Sequence, residues 1–371
     1  MSIKTEFFQD NLSTILTGYD KIEFLILHSD AFKRLANKTQ VYSNVSGSNG
    51  HEYRTRATHS LEVGQLAAAV AKGLNLNSGL ARLFGYAHDI GHAPFGHRGQ
   101  DALQHVMAKY DEVFEHNMQA ERTLSVLEGI DLPDEVKYGL LKNKKVGKSA
   151  NQDIVQMPVA EVQVADKSDA ISYTSGDISD ALKMEKFSLS TLYAAAPFLK
   201  RLMAQKLDKV DYQNEKKHID NMHQVILYYF ANDLIQNSHK RLKEFNIYSS
   251  QDIVNMNQFI ISMSDDKIKE LQILKKFMKQ HVYEADEMQV DREKQFNYLV
   301  KLFDYLYENY KTTLPEKFVK RFENGECSLA RTVCDYVSGC DDKYVVTIKP
   351  EFYNEEPNNT QQKSVKKFSI R

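Results

Sequence analysis

Apolar residues recur three and four positions apart through nearly the whole chain, and only seven prolines and 16 glycines interrupt its 371 residues. That spacing gathers apolar side chains on one face of a helix and does not suit a half-buried strand, so the chain is expected to be all-α. The exception is HDIGHAPFGHRGQ at 88–100, where Gly91, Pro94, Gly96 and Gly99 stand among three histidines. So many breakers in a chain otherwise poor in them predict a loop over 90–99 between two helices.

The flanking helices follow from their periodicity. HSLEVGQLAAAVAKGLNL places Leu61, Leu66, Ala69 and Val70 on an expected buried stripe that stops at Gly73, a frequent C-terminal residue. NSGLARLFGYAHD has Asn77 or Ser78 as its N-cap and Leu80, Leu83, Phe84 and Ala87 as its apolar face. QDALQHVMAKY is expected to resume the helix at Gln100, and HNMQAERTLSVLEG, PDEVKYGLLKN and EVQVADKSDAISYTSGDISDALKM follow. NKKVGKSANQD between the last two is a basic loop. From about residue 186 the chain continues in helical segments with no further catalytic cluster. The expected organisation is one all-helical domain over 1–345, with its core at about 20–185, a helical C-terminal part at about 186–345, and a mobile, polar, basic tail at 346–371.

A net charge of −2 provides no overall field to recruit nucleic acid or a membrane surface, so any polyanion site must be local. MSIKTEFFQDNL lacks the basic start and apolar run of a leader, and no stretch approaches the ~20 apolar residues of a membrane span. A cytoplasmic protein without a membrane partner is expected. Cys327, Cys334 and Cys340 lack CxxC spacing and are expected to pack in helices rather than form a zinc ribbon or a disulfide scaffold.

Six of the twelve histidines fall at 59, 88, 92, 97, 105 and 116, a density that packing does not require. His88 and Asp89 sit where a helix ends. There the chain leaves regular geometry, so neighbouring side chains can converge on one ion although mid-helix neighbours diverge by ~100°. His59, near the start of its own helix, is the natural third ligand, and the fourth is expected to be a carboxylate from a distant helix. Asp169, Tyr173 and Asp177, four apart, form one polar stripe that could hold both that ligand and a substrate contact. Two imidazoles and two carboxylates leave open positions on an octahedral ion. They suit Mn, Fe or Mg better than a closed structural zinc site, with zinc possible. His28, His51 and His105 are expected to be surface or packing residues.

RATHSLEV at 56–63, HDIGHAPFGH at 88–97, FEHN at 114–117 and SDAISYTSGD at 168–177, in that order, resemble the HD-domain deoxyguanosine triphosphate triphosphohydrolase family. RLANKTQVY at 34–42 and ARTVCDYVSGCDDKY at 330–344 extend the resemblance over about residues 20–345. It implies an HD-type helical bundle core with additional C-terminal helices, and one divalent metal ion per site held by His59, His88, Asp89 and Asp169. It also implies cleavage of a dNTP, dGTP being the default substrate, between the 5′ oxygen and the α-phosphorus to give a deoxynucleoside and inorganic triphosphate. By the same resemblance His116 is the acid that protonates the leaving 5′ oxygen, and His92 and His97 contact the α-phosphate or order the attacking water. Arg56 binds phosphate, Gln40, Tyr173 and Asp177 surround the deoxyribose, and the protein is a homo-oligomer, often a hexamer.

Two positions depart from the family pattern. Gln100 stands where a carboxylate commonly follows the second loop histidine, and an amide cannot act as a base; Gln100 is nevertheless kept among the catalytic candidates. Ala170 stands where some relatives carry a phosphate-binding lysine, so triphosphate contacts must come from elsewhere, with Lys142, Lys144, Lys145 and Lys148 of the basic loop as candidates. The alternatives are another HD phosphohydrolase such as a 5′-nucleotidase, or a catalytically weak nucleotide-binding regulator or single-stranded nucleic-acid binder. The absence of a GYP signature after the HD pair weighs against a cyclic-dinucleotide enzyme.

Overall fold

The structure, a computed structural model, describes residues 18–38, 40, 54–141, 157–206 and 215–354. Within them the chain forms nineteen α-helices and no strand. Eleven of these frame the site and are labelled here: α1 (Gly18–His28), α2 (Arg56–Gly73), α3 (Ser78–Ala87), α4 (Gly96–Met107), α5 (His116–Arg122), α6 (Ala160–Lys183), α7 (Glu215–Glu244), α8 (Asp265–Met278), α9 (Asp286–Glu308), α10 (Leu329–Gly339) and α11 (Asp342–Ile348). No described helix is long and apolar enough to cross a membrane. The basic loop, His51 and the final residues 355–371 lie outside the described residues. Residues 346–354, expected in the tail, are largely helical, in α11 and a short helix Pro350–Asn354.

Sequence chemistry explains where the central helices begin. Thr55 starts α2 by accepting a hydrogen bond from the Thr58 backbone N, while the Thr58 hydroxyl accepts one from the Thr55 backbone N, a reciprocal cap that satisfies two otherwise orphaned N–H groups. Asn77 caps α3 by accepting from Leu80 N at 3.0 Å. The apolar face expected on α3 is buried, as expected. On α2 the phase differs. Its buried face is Arg56, His59, Ser60, Val63, Gly64, Ala67, Val70 and Ala71, whereas Leu61 is 40% exposed and Ala69 also faces outward. The helix turns polar residues inward because they belong to the site, and that outweighs the exposure of one leucine, worth about 1.5–3 kcal/mol when buried.

Two apolar cores carry the frame. The first joins α2, α3, α6, α7 and α8 through Ala67, Val70, Leu83, Ile171, Phe230 and Leu274. The second joins α4 to α9 and α10 through Leu103, Val106, Leu302, Phe303, Val333 and Val337, and it takes in Cys334 and Cys340. All three cysteines are free thiols. The histidine loop crosses from one core to the other, with Ile90 in the first and Ala93 in the second. Helix α4 begins at Gly96, four residues earlier than expected from the glycines. Phe95 and Gly96 both adopt left-handed backbone, φ 64° and 60°, so the turn is completed before Gln100. A Cβ at residue 96 would lie 2.5 Å from Arg56 Nη2, which adds a steric need for glycine to the conformational one.

Candidate active site

His88 caps the end of α3, and Asp89 begins the loop that follows. The Nδ1–H of His88 donates to the Gly85 carbonyl at 2.7 Å, which turns Nε2 toward the neighbouring carboxylates. That Nε2 is buried, has no hydrogen-bond partner, and lies 3.4 Å from Asp89 Oδ1 and 3.6 Å from Asp169 Oδ1. His59, from the first turn of α2, brings Nε2 to 3.0 Å from Asp169 Oδ1. One donor atom from each of His59, His88 and Asp89 lies within 4.8 Å of the others, a grouping able to hold a metal ion. A buried, partnerless imidazole nitrogen with two carboxylates beside it is a donor set that a divalent cation fits.

The local charges are consistent with such a use. Burial opposes ionisation of Asp89, yet His88, Arg56 and His92 hold its carboxyl well below the usual range. Against the cost of its own partial burial, His88 and His59 do the same for Asp169. Burial likewise opposes charge on His59, but its hydrogen bond to Asp169 raises its pKa. Arg56, the phosphate candidate, pairs with Asp89 Oδ2 at 3.0 Å and keeps a second buried nitrogen, Nε, without a partner.

Beside this cluster lie the other imidazoles. His92 places Nδ1 3.0 Å from Asp89 Oδ1, and burial with Arg56 nearby pushes its pKa well down. Its ring centroid is 4.3 Å from that of His116 and 5.3 Å from that of His97. His92, His97 and His116 therefore form one group next to the metal-capable residues. His105 is on the surface against Phe296, and His28 is exposed and stacked on Phe24.

Gln100 holds His116 twice. Its Oε1 accepts from the His116 backbone N at 3.1 Å and faces His116 Nδ1 at 2.6 Å. A backbone N–H can only donate, so the shared atom is an oxygen, and the imidazole proton must lie on Nδ1. Gln100 thereby sets which ring nitrogen carries the proton in the neutral imidazole.

The stripe on α6 forms the remaining wall. Tyr173 stacks on Tyr283 with ring centroids 6.0 Å apart, and the Tyr283 hydroxyl donates to Asp177 Oδ2. Asp177 is buried, its Oδ1 has no hydrogen-bond partner, and neither does the buried Gln40 Oε1. Behind them Glu62 ties Arg54, Ser172 and His223 together, joining α2, α6 and α7. Arg54 passes so close to α6 that a Cβ at residue 176 would lie 1.4 Å from its Nη1, and glycine is what lets it through.

Tyr283 escaped sequence reasoning because it lies 106 residues from Asp177 in an unremarkable helical segment. It ends a five-residue π turn, Lys279–Tyr283, that continues α8, an irregularity often found at functional positions. Lys275, also on α8, was missed too. It is half-buried and near enough to feel the charges of Asp169 and Asp166, and burial lowers its pKa. Neither position carries a local signal.

An all-helical frame closing on a buried histidine–aspartate cluster defines an HD-domain phosphohydrolase. The HD domain family matches residues 56–173, and the phosphohydrolase-associated domain family matches residues 261–349. The chain belongs to the deoxyguanosinetriphosphate triphosphohydrolase-like family. It is 33% identical over 358 residues to a protein so named from Roseobacter denitrificans, covering 90% of each chain. It is 34% identical over 339 residues to one from Leptospira interrogans, covering 87% of this chain and 86% of that one. To one from Jannaschia sp. it is 34% identical over 349 residues, covering 86% and 85%.

Proposed function

We propose that the chain is a metal-dependent dNTP triphosphohydrolase that releases a deoxynucleoside and inorganic triphosphate, with dGTP as the first substrate to test. The observation that carries this reading is the buried, partnerless Nε2 of His88, aimed at two carboxylates within reach of a histidine group. His59, His88, Asp89 and Asp169 would hold one divalent cation, Mn, Mg or Fe, with Zn possible. When bound, that cation supplies Lewis acidity to a phosphoryl oxygen and to the attacking water.

The chain's own residues do the rest. Water attacks the α-phosphorus and loses a proton to solvent as its oxygen joins the phosphate, the bond from phosphorus to the 5′ oxygen breaks, and that oxygen takes a proton. His116 gives the proton from Nε2, since Gln100 keeps the other ring proton on Nδ1. His92 and His97 orient the α-phosphate or the water, and Arg56 takes a phosphate oxygen with its second nitrogen. Lys275 supplies a triphosphate contact that Ala170 cannot. Asp177 and Gln40 meet the sugar through their unpartnered oxygens. The Tyr173–Tyr283 stack lies under the sugar, where a 2′ hydroxyl would collide with it. The protein acts in the cytoplasm, as a homo-oligomer that the family resemblance makes a hexamer.

The test is a dNTP panel with Mn or Mg and product identification. Tripolyphosphate with a deoxynucleoside is expected, and His88→Gln should lose both Mn binding by calorimetry and turnover. Orthophosphate or a monophosphate as product would move the protein to another HD phosphohydrolase class. Bound nucleotide without hydrolysis under any metal would make it a binding protein.

A further inference from the structure

The amide at Gln100 gives the proposed acid a hydrogen-bond acceptor without charge, and a carboxylate stands beside the same nitrogen. Glu115 Oε1 lies 3.3 Å from His116 Nδ1, while Gln100 Oε1 lies 2.6 Å from it. Glu115 is the N-cap of α5. Its Oε2 accepts from the backbone N of Asn117 at 3.1 Å and of Met118 at 3.2 Å, and its Oε1 accepts from Asn117 Nδ2 at 2.8 Å. Those bonds hold the carboxylate rigidly beside the imidazole.

We propose that the orientation and the charge acting on His116 are divided between two residues. Gln100 fixes the tautomer and direction of His116, and Glu115 supplies the negative charge that favours its protonated form. Glu115 is thus a positioning residue for the proton donor, a role that rests on the triphosphohydrolase reading. The physics is elementary. A carboxylate about 4 Å from an imidazolium is worth about 1 kcal/mol even at the dielectric of water, or about 0.7 pH unit. An amide oxygen in line with Nδ1–H gives direction without that charge. Other titratable groups facing His116 include His92 from the loop and His97 from α4, with Arg56 of α2 acting on both.

The full-length protein with Mg is titrated by 15N NMR of its histidines, alongside steady-state kinetics on a dNTP. In Glu115→Gln, which keeps length and removes charge, the His116 midpoint should fall by about half a pH unit or more. Its Nδ1–H tautomer should persist, and kcat should drop about threefold or more with little change in KM. Glu115→Ser keeps a good N-cap but is too short to reach the ring, so it should melt like the parent and titrate like Glu115→Gln. Gln100→Glu added to Glu115→Gln should restore the midpoint. An unchanged His116 midpoint in both Glu115 variants would reduce Glu115 to a helix cap and overturn the proposal. Because the midpoint needs no turnover, it decides the role of Glu115 even if the wild-type protein hydrolyses no dNTP, a result that would sink the functional reading instead.

Discussion

Asp177 shows how a buried residue is tuned. Burial pushes its carboxyl up to about 7, with the Tyr283 hydrogen bond pulling the other way. The folded protein therefore keeps a proton that the unfolded chain releases above the ordinary 3.8, and stability falls as pH rises from there through about 7. Asp177→Asn removes the titration, so wild-type melting temperature should decline relative to the variant across that window. Binding should move oppositely, because an ionised carboxylate accepts the sugar hydroxyl's hydrogen bond more strongly. Apparent KM for a dNTP should fall as pH climbs through about 7 in the wild type and stay flat in the variant. Parallel KM profiles for the two proteins would remove Asp177 from the sugar contact. At this scale the grouping of His59, His88 and Asp89 was foreshadowed by the adjacent His88–Asp89 pair at a helix end and by the resemblance to the family motifs, with Asp169 Oδ1 lying beside His59 and His88. Tyr283 and Lys275 were not, because contacts made across the fold leave no mark on local spacing, and Glu115, although next to His116, reads from sequence only as a helix N-cap.

Among the elements, the histidine loop is held by groups it does not itself contain. Lys38, just beyond a short 3-10 turn, is 2% exposed, and its Nζ donates to His92 O at 2.6 Å and to Ser338 O, in α10, at 2.8 Å. Phe95 N, at the other end of the loop, donates to Asp342 Oδ1 at 2.9 Å. A neutral amine has two N–H donors, enough for both carbonyls, and burial lowers the Lys38 pKa to about 7. Here the unfolded chain is the one that holds the extra proton, so the stability of the wild type relative to Lys38→Met should rise with pH between about 7 and the ordinary 10.5. The variant leaves two buried carbonyls without donors and should cost about 2 kcal/mol or more by denaturant unfolding near neutral pH. A denaturation midpoint equal to the parent's throughout would show that the lysine bears no load. Helix existence was legible here and phase was not. On α2 the apolar period suggested Leu61 and Ala69, but the site claims Arg56, His59 and Ser60 for the inward face, and a hydrophobic pattern cannot register polar residues buried for chemistry.

The whole molecule is organised around the seam between its two cores. Most of the metal-capable residues are carried by helices of the first, whereas α4, which brings His97 and Gln100, is packed on the second with α9 and α10. Ile90 and Ala93 anchor the loop to opposite sides of that seam, so relaxation of either core should reach the histidines. Leu302 is fully buried in the second core and belongs to none of the site's contacts. Leu302→Ala should cost about 2–5 kcal/mol, with the spread set by how far the cavity can collapse. Leu83→Ala in the first core, at a side chain equally buried, should cost a similar amount. The two should part in hydrogen exchange. Leu302→Ala should expose the amides of 96–107 while leaving those of α2 and α3 protected, and Leu83→Ala should do the reverse. If the cores are thermodynamically one unit, both variants will raise exchange uniformly, and the seam will have no energetic meaning. If they are separable, Mn binding should survive the second-core cavity while dNTP turnover falls, because the metal-capable residues and the proposed proton donor's support belong to different halves of the fold.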